Sequence, residues 1–351
     1  MKNREKVSQS ATNPKEPKAP KEPIDWKGKW EITKKVLKQS KTTGVSVLNG
    51  AVGDHLEHFA ILAQEMNFYR FGVPLTLSKE ELKSLQIGSK LCILVHGLVS
   101  DETMWSFAKS TEDYGTLLEK DFSYSPFYAR YNSGRHISDN GQDLDKLLET
   151  LVSHAPKSIK EIIFICHSMG GLVTRSACYY GTKRKSKWVS LTKKIVFIGS
   201  PHHGAPLEKF GNAVTTVLDK IPNPFTYLTK KAINLRSAGI KDLRYGFLVE
   251  EDWKGKDPDS FVNSEKKHVP LLKNTQYYVI TGTLMENPNH FLSEFFGDAI
   301  VGKWSAKGKS GNSKYDLTFS EKNSKEFPGI THIKLMHDRR IYDQIRIWLA
   351  I

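Results

Sequence analysis

No apolar run in this sequence approaches the roughly 20 residues needed to cross a bilayer, so no transmembrane helix is expected. The opening Met1-Lys2-Asn3-Arg4-Glu5 carries charge with no apolar stretch behind it, which is not the pattern of a secretory signal. Cysteine is scarce. Three residues cannot all pair, and Cys92 and Cys166 fall in apolar runs that read as buried strands. Free thiols in a reducing compartment, and hence a cytoplasmic location, are the expectation. No cysteine spacing suits zinc and no aromatic-and-basic signature suits RNA, so neither a metal nor a nucleic-acid partner is expected.

What is present in excess is positive charge, unevenly spread. The chain carries +14 overall, and residues 1–41 hold 12 Lys/Arg against 5 Asp/Glu. Residues 1–23, with Pro14, Pro17, Pro20 and Pro23 among lysines and glutamates, have too little apolar surface to fold and read as a disordered basic tail. Such a tail is usually a solvated extension; contacts with nucleic acid, acidic proteins or an anionic membrane surface are the other readings, of which the membrane surface is the one kept. Residues 24–85 read as an N-terminal helical segment. Leu48, Val52, Leu56, Phe59 and Ala63 recur at helical spacing there, and Ser78-Lys79-Glu80-Glu81 matches a capping box. Residues 86–351 are left for one α/β domain with an insertion.

That domain is organised around Ile162-Ile163-Phe164-Ile165-Cys166-His167-Ser168-Met169-Gly170-Gly171. A β-branched apolar run meets a small polar pair and two glycines, then Leu172, Val173, Ala177 and Tyr180 at helical period up to Gly181. This predicts a buried strand, a tight turn and a helix with a glycine stop. Such a turn holds a serine on a sharp corner, its hydroxyl exposed and the next backbone N–H aimed at the same point, as in the G-x-S-x-G nucleophile elbow. Cys166 stands where that motif has glycine. The alternative is an ordinary strand-to-helix turn.

Leu91–Leu98 forms a second strand without polar alternation, hence covered on both faces, and ends in His96-Gly97. By position, the backbone N–H groups of Leu98 and Met169 are candidates for an oxyanion hole, with His96 a structural neighbour. Pro126–Tyr131, Ile195–Ile198 and Tyr277–Ile280 read as further strands, and Ser138 as the N-cap of a helix carrying Leu144, Leu147, Leu148 and Leu151. Asp338 reads as the cap of a last helix with Ile341, Ile345, Trp348 and Leu349. Strands alternating with helices predict a mostly parallel sheet with helices on both faces. Residues 205 to about 272 break the rhythm. Phe210, Val214, Val217 and Phe225 belong to an apolar insertion that is either a helical cap over the pocket or a helical subdomain on its rim.

Serine attack on an ester needs a base and a carboxylate to hold that base. The chain offers Ser168, Asp298 and His332 in the order nucleophile, acid, histidine. His337 also follows Asp298, but beside the cap of the last helix, whose positive end disfavours an imidazolium. His332 is therefore the expected base. His202 and His203 lack a third ligand and read as pocket wall.

The stretches VHGLVSDETMW, CHSMGGLVTR, GSPHHGAPLEKFGN, RSAGIKDLRYG and GDAIVGKWSA resemble bacterial serine esterases and lipases of the α/β-hydrolase superfamily. They are similar to those grouped with GPI inositol-deacylase-like and triacylglycerol-lipase-like proteins, over roughly residues 90–351. The resemblance implies an α/β-hydrolase-type sheet and hydrolysis of a carboxylic ester, usually of a lipid-like acyl chain, with no cofactor. The expected activity is a serine esterase working through an acyl-serine. Two alternatives stand beside it: an acyltransferase on the same triad, and a catalytically silent binding protein on a hydrolase fold.

Overall fold

The computed structural model describes residues 65–70, 73–98, 100–107, 110, 112–205, 237–256, 265–284, 301–310 and 312–351. The basic tail, the expected N-terminal helical stripe Leu48 to Ala63, the insertion residues Phe210, Val214, Val217 and Phe225, and Asp298 lie outside them.

In chain order the elements are β1 (Asn67–Arg70), β2 (Val73–Pro74), α1 (Lys79–Ser84), β3 (Lys90–Val95), a 3-10 turn (Glu102–Trp105), α2 (Tyr114–Phe122), β4 (Ser125–Arg130), α3 (Ile137–His154) and β5 (Glu161–His167). They continue with α4 (Met169–Arg184), α5 (Lys187–Leu191), β6 (Thr192–Ile198), α6 (Ala238–Tyr245), α7 (Glu250–Trp253), β7 (Gln276–Thr283), α8 (Lys303–Ala306), β8 (Ser324–Pro328) and α9 (Arg339–Leu349). Among the described residues the eight strands form one sheet in the order β2-β1-β4-β3-β5-β6-β7-β8. All pairs from β4 to β8 are parallel, and β1 and β2 add an antiparallel edge. The expected mostly parallel sheet of the α/β-hydrolase type, with helices on both faces, is what the chain forms.

Unbroken apolar runs make sense once both faces are seen to be covered. Leu91, Ile93 and Val95 of β3 and Ile162, Phe164 and Cys166 of β5 pack with α1, α3, α4 and Trp188. The alternate residues Cys92, Leu94, Ile163 and Ile165 pack with Leu117 and Leu118 of α2 and with Ile341, Ile345, Trp348 and Leu349 of α9. Each such side chain contributes about 1.5–3 kcal/mol when fully buried. Cys92, Cys166 and Cys178 are buried and free.

Several element ends differ from the sequence reading. Asn67–Arg70 and Val73–Pro74 lie inside the expected helical segment 24–85 but are strands, because Asn67–Tyr69 find a partner in β4. Ser78 caps α1 by accepting from the Glu81 N–H, yet Glu81 turns instead to the Thr76 N–H and hydroxyl, so only half of the capping box exists. Ser138 is not an N-cap. α3 starts one residue earlier, and the Ser138 hydroxyl accepts from the Trp253 indole at 3.1 Å. α4 runs past Gly181 to Arg184, ending at Lys185 in the left-handed region (φ 60°). Gly181 is required for packing: a Cβ there would lie 2.7 Å from Trp188 and 2.9 Å from Asp145. Asp338 does cap α9, accepting from the Arg340 N–H.

Among the described residues no helix is long and apolar enough to cross a membrane.

Candidate active site

β5 delivers Ser168 to a corner that most residues avoid. Its φ is 51° and its ψ −123°, a strained backbone that costs on the order of 1–3 kcal/mol and persists only where neighbours fix it. Those neighbours are visible. The Ser168 N–H donates to the Ile198 carbonyl at 2.9 Å, and the Ser168 carbonyl accepts from the Gly171 N–H at 3.1 Å. A Cβ on Gly170 would lie 2.3 Å from the Val95 carbonyl oxygen and 2.4 Å from that of His96, so only glycine lets α4 start this close to β3. Cys166 is accommodated at the usual glycine position by the Thr174 hydroxyl, 3.2 Å from its sulfur. The serine is 2% exposed, not open as the sequence suggested, because the end of β3 lies directly against it. A Cβ at Gly97 would come within 3.0 Å of Ser168 Cβ and of His167 Nδ1.

His96 anchors that end of β3. Its Nδ1–H donates to the Gly97 carbonyl at 2.8 Å, its Nε2 accepts from the Tyr131 N–H at 3.3 Å, and its ring stacks on Tyr131 at 4.2 Å. Burial pushes its pKa down to about 4, so it is neutral at physiological pH. Because a peptide unit is planar and trans, a fixed Gly97 carbonyl also fixes the opposite-facing Leu98 N–H. Met169 opens α4 directly after the serine. Leu98 and Met169 thus flank the Ser168 corner, one from each strand end.

His332 follows β8 and is 4% exposed. His167 meets it: the His167 Nε2–H donates to the His332 carbonyl at 3.3 Å, and the two rings lie 4.7 Å apart. Burial, then the His332 ring, hold the His167 pKa well below the usual histidine range. The structure therefore brings His332 to the residue preceding Ser168. His337 is on the surface, donating from Nδ1 to the Ser106 carbonyl at 3.1 Å. Asp298 lies outside the described residues.

Two features of the site had no clear signal in the sequence. His167 occupies the variable position before the elbow serine, and nothing local shows that it reaches a loop 165 residues away. Arg130, at the end of β4, makes a buried bidentate ion pair with Glu102 and lies 3.8 Å above the Tyr69 ring. That pair clamps the segment following Leu98 against the sheet.

A parallel α/β sheet whose strand β5 breaks at a strained serine into a helix is an architecture of the α/β-hydrolase type. The chain belongs to the family described as Domain of unknown function (DUF7379), whose model matches residues 60–238. No curated protein matches the chain. Among solved structures it is similar to a lipase of Bacillus licheniformis, at 15% identity and TM-score 0.46 over 74% of this chain and 92% of the other. It is also similar to an esterase of Pyrococcus furiosus, at 16% identity and TM-score 0.42 over 75% and 81%. A thermophilic esterase of Thermogutta terrifontis matches at 14% identity and TM-score 0.40 over 75% and 90%.

Proposed function

We propose that this chain is a serine carboxylic-ester hydrolase. The observation that carries the reading is the strained Ser168 corner, held between two strand ends and joined through His167 to a buried histidine. Strain of this kind, at a polar side chain on a sharp turn, belongs to sites that use it.

In this reading Ser168 Oγ attacks the ester carbonyl while His332 takes its proton. The backbone N–H groups of Leu98 and Met169 face the oxygen that becomes negative in the tetrahedral intermediate. Asp298, on the strength of chain order, holds the imidazole. His332 then returns the proton to the departing alcohol, leaving an acyl-serine. Water, deprotonated by His332, attacks the acyl group, and the acid leaves with Ser168 restored. The reaction uses no cofactor. The apolar insertion of residues 205–272 would receive a lipid-like acyl chain.

The test is a series of p-nitrophenyl esters from acetyl to long acyl chains, run with wild type and Ser168→Ala and with an alcohol added. Turnover lost in Ser168→Ala, with free acid as the product, supports the proposal. Acyl transfer to the alcohol in preference to water would make the enzyme a transferase, and folded protein inert toward every ester would contradict the reading.

A further inference from the structure

Two helical turns beyond Ser168, about 10 Å along the helix axis, α4 carries a buried arginine. Arg175 is 6% exposed. One of its terminal nitrogens donates to the Val269 carbonyl at 2.9 Å, and among the described residues its Nε has no acceptor. Among the described residues no carboxylate forms an ion pair with it. Leaving a buried guanidinium uncompensated is costly, and burial pushes its pKa down to about 10, which still leaves it charged at neutral pH.

Arg175 lines a recess, cavity volume about 20 Å³, that opens to solvent beside the end of β6. The other polar side chains around it are the cations Lys266 and Lys267, the Tyr315 hydroxyl, and His202, His203 and His268; the His203 Nε2–H is already donated to the Gly308 carbonyl at 2.8 Å. Lys266 donates to the Tyr245 carbonyl at 2.8 Å. His202 is 1% exposed, and among the described residues neither of its ring nitrogens has a hydrogen-bond partner. Burial keeps that ring neutral, so one of its nitrogens carries a proton to donate.

The nearby carboxylates are committed elsewhere. Asp252 accepts from the N–H groups of Leu248, Val249 and Lys267. Asp316 accepts from Ser310 and lies 3.4 Å from Lys309, while Glu265 lies 3.4 Å from Lys314.

We propose that this recess is a binding site for a compact oxyanion of the phosphate or phosphate-monoester class, held by Arg175 with Lys266 and His202. A guanidinium presents a planar fork of donors that matches phosphate oxygens. The floor admits about one water-sized group, enough for an oxygen of an anionic head and not for an acyl chain. The site is separate from Ser168 and does not depend on the esterase reading.

The experiment is calorimetric titration of the full chain with sodium phosphate at constant ionic strength, with sodium chloride as the control. Wild type and Ser168→Ala should both bind phosphate. Arg175→Met and Lys266→Met should each weaken binding by about tenfold or more, as loss of a charge-assisted hydrogen bond does, with native circular dichroism. Lys266→Met carries the test if Arg175→Met does not fold. A second arm measures co-sedimentation with phosphatidylcholine vesicles with and without phosphatidic acid. Binding of phosphate alone assigns a free anion. Binding of phosphatidic-acid vesicles that is lost with Lys266 assigns a lipid headgroup; either result supports the site. No phosphate binding in wild type together with no Lys266-dependent vesicle binding would overturn it, as would phosphate binding unchanged in the folded variants.

Discussion

The His167 Nε2–H donates to the main-chain carbonyl of His332 across 3.3 Å, with the two imidazoles 4.7 Å apart. The residue before the strained serine thus positions the loop that carries the proposed base. His167→Phe, which keeps a ring but removes the donor, should lower kcat about 10- to 100-fold, as small misplacements of catalytic groups do, with KM little changed. His167→Gln, whose side-chain amide restores a donor, should recover part of the loss. Equal losses in both variants, or a change confined to KM, would remove the positioning role.

The two histidines after β8 separate cleanly. His332→Ala should reduce kcat/KM by at least about 1,000-fold, as expected for loss of a triad member. His337→Ala, a surface residue bonded to the Ser106 carbonyl, should stay within about tenfold. Circular dichroism controls for folding, and the reverse pattern would move the base to His337.

Arg130 and Glu102 form a buried pair. Arg130→Met leaves the Glu102 carboxylate buried without that partner, which should cost about 3–5 kcal/mol in urea denaturation. The double variant Arg130→Met/Glu102→Leu should lose less than the sum of the two single changes. A loss under about 1 kcal/mol in Arg130→Met would mean the pair behaves as an exposed one.

Stability should fall on mild acidification. Unfolded imidazoles take up a proton near pH 6.5, at the ordinary histidine value of about 6.5. His96 in the folded chain holds out to about 4, as does His203, and His167 and His202 are held lower than the usual range, burial being the largest cause for each. Between those values the unfolded state binds more protons, so stability is complete above about 6.5 and is lost as pH falls toward 4. His96 alone accounts for on the order of 3 kcal/mol over the window. Urea midpoints measured at about pH 7 and about pH 5 should drop, and less steeply in His96→Asn if that variant folds. A midpoint that holds or rises on acidification would contradict the buried neutral state.

The sheet was legible in the sequence because its central strands are covered on both faces, which erases polar alternation in β3, β5 and β6 and leaves recognisable apolar runs. The serine corner was legible for a related reason: Gly170 and Gly171 must stand where α4 meets β3 and β6, and a strand running into Ser-x-Gly-Gly announces that contact. Features decided by distant partners were not legible. β1 exists because β4 offers an open edge, Gly181 marks close packing against Trp188 and Asp145 and not the end of α4, and the Ser138 hydroxyl serves the distant Trp253 indole and not a helix start. The His167 bond to His332 and the Arg175 bond to the Val269 carbonyl are likewise settled by residues 165 and 94 positions away, with no local periodicity to mark them.

The claim that Ser168 is an activated nucleophile is tested most directly by labelling folded wild-type protein with a fluorophosphonate and locating the adduct by mass spectrometry of its peptides. The adduct should map to Ser168, and labelling should vanish in Ser168→Ala and fall sharply in His332→Ala. Labelling that persists undiminished in Ser168→Ala, or none at all in active protein, would contradict the account.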